Sequence, residues 1–158
     1  MNPKTDYAYC AGLVDGEGCI QIVKCKSFRN RNKSPQYILQ IQVNMTSIEC
    51  IKKLQGVFGG NIASRDREGT NFQSYNWRIF SNNCMNMLKK MLPYLKEKKE
   101  QAIEAISFQN MLNRRVKEEI HLGQNRNSLT EEELNKREYY FNLLKKLKRS
   151  KLTPISTN

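Results

Sequence analysis

The feature that most constrains this chain is the stretch from Tyr7 to Val14, eight residues without a charge in a sequence where 27% of residues are charged. Thr5 and Asp6 stand just ahead of it as helix N-cap candidates, so the stretch is predicted to be helical. A helix with no charged face is expected to be buried all round. Along it Ala8, Gly12 and Gly16 recur every four residues, a stripe of small side chains on which a second backbone can approach closely. Small residues also fill ordinary cores, but glycine within a helix costs about 1 kcal/mol relative to alanine, which favours the close approach. The stripe ends immediately before Glu17.

Two copies of such a helix packed across a two-fold axis would bring both Glu17 carboxylates side by side. Like charges so placed repel unless a cation lies between them. Carboxylate and backbone carbonyl oxygens are hard ligands suited to Mg²⁺, and Mg²⁺ between acids and a phosphate is an arrangement for in-line phosphodiester cleavage. The charge balance points the same way. With 27 Lys and Arg against 15 Asp and Glu in 158 residues, the net charge is +12. No acid lies between Glu17 and Glu49, where Lys24, Lys26, Arg29, Arg31 and Lys33 fall, and further clusters occur at Lys96, Lys98 and Lys99 and from Lys145 to Lys151. Such a field attracts polyanions, nucleic acid foremost. Solvated surface lysines, or a polybasic strip for anionic lipid, are the plainer alternatives. A basic chain with a paired-acid centre points to a nuclease.

The length suits one domain, expected over residues 1–150, with 151–158 a short disordered tail. Folding at this size buries roughly 70% of the unfolded chain's surface, so disulfide staples are not required. Trp77, seven Tyr and six Phe argue against a disordered chain. No apolar run approaches the roughly 20 residues that cross a bilayer, and the start has no signal-peptide pattern. Five cysteines without a C-x-x-C pair, with His121 the single histidine, leave no zinc-ligand set and little basis for a Ser-His-Asp triad. Thiols acting as small core residues fit a reducing, intracellular setting.

Alternation predicts a strand over Cys19 to Lys26, with a phase slip between Ile22 and Lys24 that reads as a bulge. A second strand, Gln36 to Met45, sets Tyr37, Leu39, Ile41, Val43 and Met45 on one face and Gln36, Ile38, Gln40, Gln42 and Asn44 on the other. The amide row suits hydrogen bonding to base edges, although a solvated sheet face would also be polar. Thr46 with Glu49 forms a capping-box pattern for a helix that stops at Gly59-Gly60. Two further strands follow. One places Ala63, Arg65 and Arg67 on a single face; the other opposes Ser74, Asn76 and Arg78 to Tyr75, Trp77 and Ile79. Arginine is the usual reader of guanine and a phosphate clamp. Helices are predicted over Asn83 to Leu92, from Tyr94 to about Asn113, and after a Thr130/Glu133 capping box through Leu147.

Cys10-Ala11-Gly12-Leu13-Val14-Asp15-Gly16-Glu17-Gly18 resembles the LAGLIDADG signature of homing endonucleases, with Cys10 in place of the leading leucine. Leu92 to Gln101 resembles the family's segment carrying an active-site lysine, and Leu129 to Leu134 is also similar to the family; the resemblance runs from about Tyr7 to Leu134. It implies an α+β, αββαββα subunit with an antiparallel DNA-binding sheet saddle and an extra C-terminal helix. It further implies a homodimer with Ala8, Ala11, Gly12 and Asp15 at its interface. Glu17 and the Gly16 carbonyl match the metal ligands, for Mg²⁺ with Mn²⁺ as a substitute, and Lys98 matches the basic residue at the scissile phosphate. Lys96 and Lys99 lie close by, so the cluster could instead clamp phosphates. Asp15 is assigned a structural role, its carboxylate accepting backbone N–H bonds at the helix end. The family's water-positioning residue would fall at Met45, so Gln42 or Asn44 would have to substitute.

Double-stranded DNA would then meet Gln21, Lys24, Lys26, Arg29, Arg31, Lys33, Gln36, Gln40, Gln42, Asn44, Arg65, Arg67, Asn76 and Arg78. The implied activity is double-strand cleavage at a long, roughly palindromic intron-insertion site, leaving short 3′ overhangs. No membrane partner is expected. An intron RNA maturase of the same fold, which would take RNA, and a non-cleaving DNA-binding regulator are the alternatives. Retention of both acids favours cleavage. The implied setting is an organelle-encoded or bacterial cytoplasmic protein.

Overall fold

In the computed structural model, residues 2–25, 35–66, 73–121 and 129–149 are described. The first helix, α1 (Pro3–Glu17), is capped by Asn2, whose side chain accepts from Lys4 N at 3.1 Å, with Pro3 preset for the first turn. The cap therefore lies ahead of Thr5 and Asp6; Asp6 instead pairs with Lys53 at 2.6 Å. Burial of α1 is one-sided in the subunit. Cys10, Ala11 and Val14 enter the core, whereas Ala8, Tyr9, Gly12 and Gly16 are exposed.

α1 runs straight into β1 (Gly18–Cys25), which pairs antiparallel with β2 (Gln36–Met45). The junction has no spacer because Gly18 has no side chain: a Cβ there would lie 2.6 Å from the Val14 carbonyl oxygen. Register is unbroken from Gly18 opposite Val43 to Cys25 opposite Gln36, so the expected bulge is absent. The apparent phase slip arises because Lys24 occupies a position on the core side of the sheet. α2 (Ile48–Phe58) follows, then β3 (Asn61–Asp66) and β4 (Gln73–Phe80). The N-cap of α2 is Ser47, whose hydroxyl bonds Cys50 Sγ, and the Thr46/Glu49 box does not form; Glu49 pairs with Lys52 instead. Gly59 and Gly60 both have positive φ, and Trp77 Nε1 donates to the Gly59 carbonyl at 2.9 Å, which ties the turn to β4.

The sheet order is β1-β2-β4-β3, antiparallel throughout. Helices cover one face, where Ile20, Leu39, Ile41, Val43, Trp77 and Ile79 are buried. α3 (Ser81–Met91) is followed by a turn, then α4 (Lys99–His121) and α5 (Glu131–Arg149). α4 begins later than the sequence pattern predicts, because the backbone of Lys96 and Lys98 is held by the contacts to α1 described below, and it runs further, to His121. The Thr130/Glu133 box does form: Glu133 Oε2 accepts from Thr130 N at 2.9 Å and Thr130 Oγ1 from Glu133 N at 3.3 Å.

α5 lies on β1 and contributes Leu144 to the core. Lys24 anchors it, bonding Glu138 at 2.8 Å beside the Tyr37 and Phe141 rings, while the Tyr37 hydroxyl also donates to Glu138. The Lys24 bond, with that of Tyr37, holds the Glu138 carboxyl below its ordinary range, and the Lys24 ammonium is raised by the same contact. The cysteines described are all free thiols. Cys10 and Cys84 are core residues as expected, and burial pushes the Cys10 thiol up to about 11; Cys19, Cys25 and Cys50 are only half-buried. No helix among the described residues is long and apolar enough to cross a membrane.

Candidate active site

The C-terminus of α1 gathers oxygen atoms. The last carbonyls of a helix have no partner within it and carry its negative end. Here the Val14 carbonyl accepts from Gly18 N–H, and the Asp15 carbonyl accepts from the Lys98 ammonium. The Gly16 carbonyl follows, at an exposed position, beside the exposed Glu17. There is no basic residue in the last turn of α1, so the local field favours a cation supplied from outside the helix.

Asp15 builds the other half of the site. Its carboxylate accepts from the backbone N–H groups of Lys96 at 2.7 Å and Lys98 at 3.0 Å. These bonds fix the turn after Pro93, bury Leu95, and set Lys98 at the entry to α4, where its carbonyl accepts from Ala102 N. The structural role expected for Asp15 is what the geometry gives, and it is Lys98, rather than Lys96 or Lys99, whose ammonium returns to the end of α1. Replacing Asp15 with alanine leaves two backbone donors without an acceptor. The expected cost is about 2–4 kcal/mol, read as a fall in Tm of roughly 5–15 °C in calorimetry; an unchanged Tm would show that the turn holds itself.

Among the described residues no three His, Cys, Asp or Glu side chains converge. At the end of α1 one subunit offers the Glu17 carboxylate and the adjoining Gly16 carbonyl. That set fits Mg²⁺, which binds through one or two carboxylates and completes its shell with water and substrate phosphate.

The sheet face turned away from the helices carries Gln21 on β1, Gln36, Gln40, Gln42 and Asn44 on β2, Asn76 and Arg78 on β4, and the Arg65 position on β3. Four of its amides are bonded in pairs. Arg78 Nε donates to Asn76 Oδ1 at 2.7 Å, Asn76 donates to Asn44, and Gln40 Nε2 donates to Gln42 Oε1 at 3.1 Å. Gln40 and Asn76 are consequently buried, while Gln36 and Asn44 stay exposed. Asn61 and Phe80 share this face by register with Arg78 and Gln40, and both are exposed. Neither stands out in the sequence, although strand alternation extended by one step at either end would reach them.

Two expected residues lie elsewhere. Lys24 is on the helix side of the sheet, spent on Glu138, because its register partner is the buried Tyr37. Ala11 is fully buried in its own subunit's core, so it does not share the exposed stripe of Ala8 and Gly12. Met45 is half-buried opposite Tyr75 on the apolar side, which leaves Gln42 and Asn44 on the polar face. Lys26, Arg29, Arg31, Lys33 and Arg67, and the tail 151–158, are outside the described residues.

The profile of the LAGLIDADG endonuclease family matches residues 10–113, a span that begins at the motif helix and ends within α4. The chain belongs to that family. Its fold agrees: the homing endonuclease I-CvuI superposes with a TM-score of 0.71 at 20% identity over 97% of this chain and 88% of that one. The archaeal intron-encoded I-Vdi141I, complexed with DNA, gives 0.67 at 15% identity, covering 99% and 91%. I-TnaI gives 0.60 at 19% identity, covering 95% and 97%. A comparison with curated protein sequences finds no match.

Proposed function

We propose that this LAGLIDADG protein is a site-specific double-strand DNA endonuclease that uses Mg²⁺, works as a homodimer, and cuts a long, roughly palindromic site to leave short 3′ overhangs. The observation that carries this reading is the position of Glu17. It stands exposed at the negative end of α1, two residues beyond Asp15, whose carbonyl anchors Lys98, and at the foot of an exposed small-residue stripe. A Cβ at Gly12 or Gly16 would meet nothing within 4 Å in the subunit. The helical cost of these glycines therefore has no compensation inside one subunit, and a second copy of α1 supplies it.

Glu17 and the Gly16 carbonyl would hold the metal, with the partner's glutamate across the dyad. When bound, Mg²⁺ lowers the pKa of an attacking water and offsets charge on the phosphate. Lys98 bonds a phosphate oxygen as negative charge grows on it. Gln42 or Asn44 orients water from the polar face. Similar structures support DNA binding alongside a divalent metal: I-CvuI was solved with the I-CreI target in the presence of Mg, where the DNA was not cleaved, and with its own target in the presence of Ca. We read Mn²⁺ as a substitute and the host element as an intron in an organelle or bacterium.

On the sheet, Arg78 is half-buried and oriented by Asn76, so it is a cation held ready for a major-groove edge or phosphate. Arg78→Ala is expected to weaken DNA binding by about 1–3 kcal/mol, with relaxed base preference if it reads guanine and a shallower salt slope if it holds phosphate. Equal affinity, preference and slope would take it out of the interface. The reading as a whole is tested by incubating the protein with a randomised duplex library in Mg²⁺ and in Ca²⁺ and sequencing the ends. Defined ends with 3′ overhangs in Mg²⁺ support it; intact DNA in Mg²⁺ at saturating protein overturns it.

A further inference from the structure

A cavity of about 260 Å³ adjoins the Asp15–Lys98 contact, and its walls include Cys19, Gln101 and Lys148. Lys148 comes from the last turn of α5, an element that the catalytic reading above does not use. Its ammonium lies 2.9 Å from Cys19 Sγ. Cys19 is opposite Gln42 in register and also bonds Gln21, so it belongs to the polar face of the sheet. β1 is an outer strand. Lys148 thus reaches round the open edge of β1, from the helix side to the face on which DNA is proposed to lie, two residues beyond Glu17.

Its present partner is a poor one. A thiol sulfur is a weak acceptor, and an ammonium has three protons to give. Among the described residues Lys148 has no carboxylate partner. The two acids on the cavity are Asp15, whose carboxylate is engaged by two backbone N–H groups, and Glu97 at the exposed rim. A second group in the wall is also unmatched: Gln101 is 4% exposed and its Oε1 is buried without a hydrogen bond. Buried acceptors of this kind are ordinarily met by water or a ligand. The pocket thus combines two lysines facing one space with an acceptor suited to an ordered water.

We propose that Lys148 is a second phosphate-binding residue of the cleavage centre, seating a backbone phosphate oxygen of the cut strand between itself and Lys98, with Gln101 holding water in the pocket below. The proposal rests on the nuclease reading for its role in cleavage, but not for the contact itself. Lys148→Met keeps the aliphatic stem that packs beside β1 and removes the charge; Lys148→Arg keeps the charge. With a duplex recovered from the library, Lys148→Met is expected to slow single-turnover cleavage in Mg²⁺ by roughly 10- to 100-fold, and Lys148→Arg to restore most of it. On any duplex in Ca²⁺, the slope of log K against log salt is expected to shrink by about one for each subunit's lost phosphate contact. A wild-type slope for Lys148→Met overturns the phosphate contact even if the protein proves to cut. A wild-type cleavage rate with a reduced slope overturns the catalytic placing. A wild-type protein that binds without cutting removes the nuclease reading and the catalytic placing together, and the slope still decides the contact.

Discussion

Glu17→Gln is expected to leave the protein folded, dimeric and bound to DNA, and to abolish cleavage. The side chain is exposed at the end of α1 and, among the described residues, makes no fold-stabilising contact comparable to those of Asp15. Stability should therefore change little. An amide retains the shape of the carboxylate but loses the charge that makes it a hard anionic ligand, and in a dimer the loss occurs twice at the dyad. If Glu17 holds the metal as proposed, several kcal/mol of transition-state stabilisation are expected to be lost with it, which corresponds to a rate loss of about a thousandfold or more. The measurement is single-turnover cleavage of a selected duplex in Mg²⁺, with affinity measured in parallel. Cleavage by the variant at more than a tenth of the parent's rate would remove Glu17 from the metal site.

The second large effect separates folding from assembly. Gly12→Leu is expected to leave the subunit as stable as the parent, or slightly more so, since nothing lies within 4 Å of a Cβ there and the helix gains about 0.5–1 kcal/mol on losing a glycine. The dimer should behave oppositely. A leucine interposed where two backbones approach costs about 1–3 kcal/mol by overpacking, and a symmetric interface meets it twice. Dimer dissociation constants should rise at least about thirtyfold. Sedimentation equilibrium should then find monomer for the variant and, on the proposed function, dimer for the parent, with the proposed double-strand cleavage lost and Tm maintained. If the variant remains dimeric with unchanged affinity, the Ala8–Gly12–Gly16 stripe is not the contact surface.

Glu17 and Gly12 are legible in the sequence because they belong to one continuous helix. The four-residue recurrence of small side chains, the glycine that a spacer-free helix–strand junction requires, and the acid after the stripe all lie within Ala8 to Gly18. The amide face of β2 is legible for a similar reason, since a strand has period two and Gln36, Gln40, Gln42 and Asn44 keep it, with Ile38 the one apolar residue among them. Local periodicity therefore fixes the motif helix, the alternation along β2 and the order of elements.

The remaining assignments depend on partners distant in the chain. Asp15 receives the backbone of Lys98, 83 residues away, and that contact rather than propensity places the lysine and delays the start of α4. A lysine in a strand reads as solvent-facing, which puts Lys24 on the wrong side; Glu138 of α5, 114 residues on, supplies it with a counter-charge on the helix side. The family resemblance places Ala11 at the subunit interface, although a helix turns 100° per residue and Ala11, with Cys10 and Val14, is fully buried in the subunit's own core. Lys148 reaches the polar face only by way of the packing of α5 on β1. Local sequence sets which residues share a face; which face meets which partner is decided when the chain closes its core and its charges find one another.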